Sequence, residues 1–110
     1  IRAPNRTLGV LQDIHWSFGA FGYFPTYTLG NLYSAQLLTA ARKDLPNHDE
    51  DIRTGNFTPL LEWMRRNVHS RGSIITPAEL VEEATGRPPS PNDFVEYLKQ
   101  KVEKLYDLAS

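Results

Sequence analysis

Ile75-Thr76-Pro77-Ala78-Glu79-Leu80, and after Gly86-Arg87-Pro88-Pro89 the run Ser90-Pro91-Asn92-Asp93-Phe94, decide the fold class. Thr76 with Glu79 is a capping box, Pro77 fills the first helical position, and Ile75 and Leu80 are spaced as a hydrophobic staple. Gly86 can close that helix in a left-handed conformation. Ser90 repeats the grammar as N-cap, with Pro91 at the first position and Asp93 in the first turn, where its charge suits the helix dipole. Phe94, Leu98, Val102 and Leu105 then fall on one face of a helix, with Tyr97 and Tyr106 at its margin. Residues 75–109 therefore read as a helical hairpin.

Working outward, the same periodicity continues. A helix is expected from about Thr58 or Pro59 to about His69, burying Leu60, Leu61, Met64 and Val68, with Trp63 at the edge and Glu62 and Arg66 able to pair. Gly72 stops it. The longest helix should run from near Pro25 to about Lys43, with Leu29, Leu32, Tyr33, Gln36, Leu37 and Ala40 on one stripe and Arg42 and Lys43 at its negative end. A further helix is expected over Leu8 to about Trp16, with Val10, Leu11 and Ile14 as its apolar positions. Ser17 to Gly22 reads as an irregular turn, and Asn47 to Gly55 as a loop or one short helix. No segment alternates as a strand would, and no repeat or heptad run stands out. The class is all-α, with residues 1–110 as a single helical domain (segments 9–44, 56–72 and 75–109).

Composition narrows the function. Twelve Lys and Arg against thirteen Asp and Glu give a net charge of −1, with the signs interspersed, so nucleic acid is not the expected partner. Arg65, Arg66, His69 and Arg71 are better read as a helix end meeting its own dipole. The absence of cysteine fits a reducing, cytoplasmic setting, and no apolar run reaches the roughly 20 residues of a membrane span. The first residue is Ile1 rather than Met, so the chain is expected to start within a longer protein or to have been processed.

Chemistry concentrates near the start. Gln12, Asp13, His15 and Trp16 lie within five positions, and Tyr23, Tyr27 and Tyr33 follow. On a helix, Gln12 and Trp16 share a face, His15 also approaches Gln12, and Asp13 lies near both of the former but away from His15. A histidine beside an amide and an indole can donate a hydrogen bond into a cleft. Taken by type alone, however, such a histidine is more often structural, such aromatics more often core, and Asp13 a surface acid. Spacing alone thus gives a helical domain with one polar and aromatic cluster. The alternative is a stand-alone, non-catalytic helical interaction module using Phe18 to Tyr33 as a partner-binding patch.

Gly9-Val10-Leu11-Gln12-Asp13-Ile14-His15-Trp16 matches every fixed position of GxxQDxHW, a signature of the carboxypeptidase Taq family, which this chain resembles. The run Phe21 to Asn31 and the hairpin from Pro77 through Gly86 to Leu98 are similar to the segments that follow in that family. The resemblance implies the C-terminal portion of a zincin-like, mainly helical zinc metallocarboxypeptidase, usually homodimeric, which removes single residues from peptide C-termini. In that family zinc is held by the two histidines of HExxH and a downstream glutamate. This sequence has neither that motif nor the IRxxAD or DxRxT signatures, so zinc is expected in the full-length enzyme with no ligands here and none bound by this chain alone. By the same likeness His15, Tyr23 and Tyr27 are catalytic candidates, the two tyrosines as alternative donors to the tetrahedral intermediate. Gln12, Asp13 and Trp16 would bind substrate, Asp13 by orienting His15 or a backbone turn and Trp16 as wall. The expected partners are a peptide substrate and, for the isolated chain, further copies of itself.

Overall fold

The computed structural model describes residues 2, 4–9 and 13–108. Among these there are five α-helices and no strand: α1 Pro25–Asp44, α2 His48–Thr54, α3 Thr58–Asn67, α4 Pro77–Thr85 and α5 Asn92–Tyr106, with a short 3-10 turn at His69–Arg71 after α3. The all-α reading holds. The chain divides into two compact units, Ile1–Gly30 and Asn31–Ser110.

In the second unit most caps follow local sequence. Thr76 Oγ1 accepts the Glu79 N–H, and Glu79 Oε2 accepts the Thr76 N–H at 2.8 Å, so both halves of the capping box are made. The Thr76 hydroxyl, which donates to Glu79 Oε2 at 2.7 Å, and then the Thr76 N–H hold the Glu79 carboxyl below its ordinary value. Thr76→Ala should lower the unfolding free energy by about 1 kcal/mol, read as a shifted urea midpoint, whereas Thr76→Ser should not. Gly86 ends α4 at φ 75°, a left-handed position that favours glycine. At α5 the Ser90 hydroxyl accepts the Asn92 N–H at 3.3 Å, so Ser90 serves the helix start although Pro91 takes the cap position. The polar stretch before α3 forms α2, with Asp49, Glu50 and Asp51 in its first turn and Gly55 at φ 78° closing it.

The core of this unit is small: Ala41, Trp63 and Val81, with Gln36 and His48 as buried polar residues. Two expectations need correcting. Trp63 is only 2% exposed, while Leu61, expected inside, is 42% exposed. The indole Nε1–H of Trp63 donates to Asp44 Oδ2 at 2.7 Å, which ties α3 to the end of α1 through the largest side chain available. The last helix, α5, has no buried residue: Leu98, Val102 and Leu105 stay 41%, 43% and 68% exposed. Its inner side is instead the one carrying Asp93. That carboxylate receives both contacts of Arg87 Nη2, at 2.7 and 2.6 Å. Burial pushes the Asp93 carboxyl up, but the hydrogen bonds of Arg87 and Thr39 outweigh it and leave it below its ordinary value.

Between α4 and α5 the chain is fixed by one residue of α1. Gln36 is fully buried; its Nε2 lies 2.9 Å from Thr85 Oγ1 and 3.2 Å from the carbonyls of Arg87 and Pro88. Its Oε1 accepts the Ser90 N–H at 2.9 Å.

Candidate functional site

The first unit contains the polar and aromatic cluster. Val10, Leu11 and Gln12 lie outside the described residues, so the expected helix over 8–16 is tested only in part and the place of Gln12 is not described. The described part is not helical: residue 14 is a bend and residues 15–19 form turns. The N–H groups of Phe18, Gly19 and Ala20 return to the carbonyls of Ile14, Trp16 and His15 at 3.2, 3.0 and 2.9 Å, an irregular register that no α-helix makes. Gly19 and Gly22 take φ values of 71° and 80°, which a residue with a Cβ adopts only under strain. These two glycines turn the chain so that residues 13–16 lie against the start of α1. There Thr26 begins the helix, its N–H and hydroxyl both donating to the Tyr23 carbonyl at 3.1 and 2.6 Å.

Non-helical backbone changes the neighbours of Asp13. A helix would point it away from His15, but here Asp13 Oδ1 accepts the His15 N–H at 2.8 Å and lies 2.5 Å from His15 Nδ1. This is a short Asx-type turn in which one carboxylate oxygen fixes both the backbone and the ring. It assigns the proton to Nδ1 and leaves Nε2 as the free ring nitrogen, an acceptor in the neutral ring and a donor in the imidazolium.

The imidazole is stacked. Its centroid lies 4.8 Å from that of Tyr23 with 19° between the planes, and 5.1 Å from Phe24. Tyr27 meets Tyr23 edge-on at 5.3 Å, and Trp16 meets Phe24 edge-on at 6.1 Å. The structure therefore brings together Asp13, His15, Trp16, Tyr23 and Tyr27, five of the six candidate residues. Sequence reasoning missed Phe24, whose ring touches His15, Trp16, Tyr23 and Tyr27 at the centre of the cluster. Its spacing from Tyr23 and Tyr27 gave no hint, because the ring is reached through a turn. Beside it, Phe24, Pro25, Thr28 and Leu29 line a shallow apolar hollow of about 550 Å³. Tyr33, two turns along α1, lines a different hollow with Leu37, Ile75 and Leu80.

Charges in the cluster are tuned by these contacts. The His15 N–H, and then its ring, hold the Asp13 carboxyl below its ordinary value, against a smaller opposing effect of burial. A carboxyl lowered in the folded state adds stability above its unfolded value of about 3.9 and loses it as pH falls through the folded value. Acidification through and below the ordinary carboxylate range should thus release the Asp13–His15 turn, followed through Trp16 fluorescence. Asp13→Asn should remove that acid transition. Tyr27 moves the other way: the Tyr23 hydroxyl beside it, then burial, raise its phenol above the ordinary 10.0, so it remains an O–H donor throughout the neutral range.

No metal fits here. Among the described residues no three His, Cys, Asp or Glu side chains converge as ligands. His15 is engaged by Asp13, and His48 by Asp49 at 2.8 Å. No helix among the described residues is long and apolar enough to cross a membrane.

The sequence model of the family described as carboxypeptidase Taq (M32) metallopeptidase matches residues 1–102. The chain is 48% identical over 98 residues to thermostable carboxypeptidase 1 of Thermus thermophilus, covering 89% of this chain and 19% of that protein. It is 44% identical over 101 residues to thermostable carboxypeptidase 1 of Pyrococcus furiosus, covering 92% of this chain and 20% of the relative. In structure it is similar to the M32 carboxypeptidase of Deinococcus radiodurans R1, with a TM-score of 0.89 at 41% identity over 97% of this chain and 22% of that one. The chain thus spans about a fifth of the length of the relatives it matches.

Proposed function

The chain belongs to the carboxypeptidase Taq (M32) metallopeptidase family, and from that premise we propose that residues 1–110 are the C-terminal part of a zinc-dependent carboxypeptidase releasing single residues from peptide C-termini. They supply substrate and transition-state contacts and no metal ligand. The observation that carries this reading is the convergence of Asp13, His15, Tyr23 and Tyr27 inside and just after the GxxQDxHW stretch.

The roles follow from what each group offers. Peptide hydrolysis builds negative charge on the former carbonyl oxygen, and a donor that bonds better to that oxyanion than to the ground-state carbonyl lowers the barrier. Tyr27, held protonated, is that donor. His15 presents Nε2 to the substrate as a hydrogen-bonding or charge partner. Asp13 positions the His15 ring through their contact. Tyr23 serves mainly as the platform under the imidazole, Trp16 forms wall, and Gln12 binds the terminal residue. Zinc, in the whole protein, supplies the Lewis acid and is held by residues outside this chain.

The protein containing this chain is proposed to be cytoplasmic and homodimeric. In isolation the chain self-associates through its first unit, where Phe18 and Phe21 are 79% and 80% exposed.

The test uses the gene that encodes the chain. Its full-length product, supplied with zinc, should hydrolyse a blocked dipeptide from the C-terminal end, and the isolated 110 residues should not. Turnover by the isolated chain, or an inactive full-length product lacking a zinc-binding HExxH helix, would overturn the proposal.

A further inference from the structure

Unlike α1 to α4, α5 buries none of its residues, although it is strongly amphipathic. Val95, Leu98, Val102 and Leu105 follow one another at spacings of three, four and three, the a and d positions of two heptads. They are 59%, 41%, 43% and 68% exposed. The side that meets α1 is a different one. There Phe94 and Tyr97 line a hollow with Asn31, Ser34, Ala35 and Leu38, and Asp93 and Gln100 border Thr39 and Arg42. The apolar seam therefore looks away from the helices of its own unit.

Charge narrows what covers it. With Val95 at a, Lys99 falls at e and Lys101 at g, flanking the seam, whereas Glu96 and Glu103 fall at b, off the contact line. Neither lysine is in an ion pair among the described residues. Lys101 lies over the Tyr97 ring, 5.7 Å from its centroid. An antiparallel second copy of α5 would bring these lysines against themselves, and a parallel copy would set them against Phe94 and Tyr106 and offer them no acid. The seam is also short, about 15 Å from Val95 to Leu105. Two heptads bury far less than the roughly 1,200 Å² expected of a stable free interface, so an occupant joined within the same polypeptide is favoured. About four fifths of each relative's length lies outside the part matched by this chain, room enough for such a helix.

We propose that α5 is a docking seam for one amphipathic helix with acidic flanking residues, contributed by the part of the polypeptide outside residues 1–110. This rests on the reading of the chain as part of a longer peptidase. It makes Lys99 and Lys101 the residues that select the partner, and Leu98 and Val102 the ones that hold it.

The experiment is zero-length carbodiimide crosslinking of the full-length protein, with the linked peptides identified by mass spectrometry and peptidase activity assayed on the same sample. Lys99 or Lys101 should be joined to an Asp or Glu of a helix outside residues 1–110. The double variant Leu98→Asp with Val102→Asp, which keeps both lysines, should lower that yield at least about tenfold. Links only to acids within residues 1–110, links between two copies of α5, or unlinked lysines would overturn the docking proposal. An active peptidase with unlinked lysines rejects the seam alone; a linked but inactive protein rejects the peptidase reading alone.

Discussion

Gln36→Leu is expected to destabilise the chain by about 2–4 kcal/mol, a large part of the 5–15 kcal/mol typical of a domain. Leucine keeps the volume, so no cavity follows. What is lost is a set of bonds made by a fully buried amide: Nε2 toward Thr85 Oγ1 and the carbonyls of Arg87 and Pro88, and Oε1 from the Ser90 N–H. The Ser90 donor is left unmatched in a half-buried site, and the loop between α4 and α5 loses its anchor. With a urea m-value of about 1–3 kcal/mol/M, the midpoint should fall by roughly 1–3 M. Gln36→Glu is the sharper probe. It keeps the acceptor for Ser90 but turns a carboxylate oxygen toward three acceptors, which raises the folded-state pKa of the new acid. Its stability should accordingly be poor near pH 7 and recover as acidification to about pH 4 protonates the carboxyl. A midpoint unchanged in both variants would show that water replaces the amide at no cost.

The same residue shows where reading the sequence stops. Gln36 was visible as a member of the α1 stripe, since helical periodicity places it there, but its partners are 49 to 54 positions away and nothing local names them. The capping box at Thr76 was legible because both halves lie within four residues. Trp63 was assigned to the edge because α3 alone has its apolar stripe elsewhere; its burial is decided by Asp44 on another helix. In α5 the pattern gives the apolar face and leaves open what covers it. Periodicity tells which side is greasy, and not whether anything in the chain lies against it.

At the site the error was one of register. The helical reading of residues 12–16 separated Asp13 from His15, because side chains two apart on a helix diverge. An Asx turn reverses this, and Gly19 and Gly22 were the signals that the backbone leaves helical space nearby. The choice between Tyr23 and Tyr27 was open on spacing alone, since both rings lie at the start of α1. In the structure Tyr23 stacks face-on against the imidazole, and Tyr27 meets Tyr23 edge-on.

That difference leads to the largest functional effect. In the full-length enzyme Tyr27→Phe should lower kcat about 100-fold, or about 2.7 kcal/mol, with KM little changed, because the hydroxyl acts where charge develops and not on the ground state. Tyr23→Phe should cost about tenfold or less, since the stacked ring under His15 survives the loss of its hydroxyl. The raised phenol of Tyr27 adds a pH signature: a donor must keep its proton, so activity that depends on Tyr27 should hold well into the alkaline range. Removing Tyr23 takes away the main cause of that elevation, and the alkaline limb of Tyr23→Phe should move down toward the ordinary phenol value. A merely structural role for Tyr23 would leave that limb in place. Steady-state kinetics across pH on the two variants decide the assignment, and a loss larger for Tyr23→Phe than for Tyr27→Phe would exchange the roles of donor and platform.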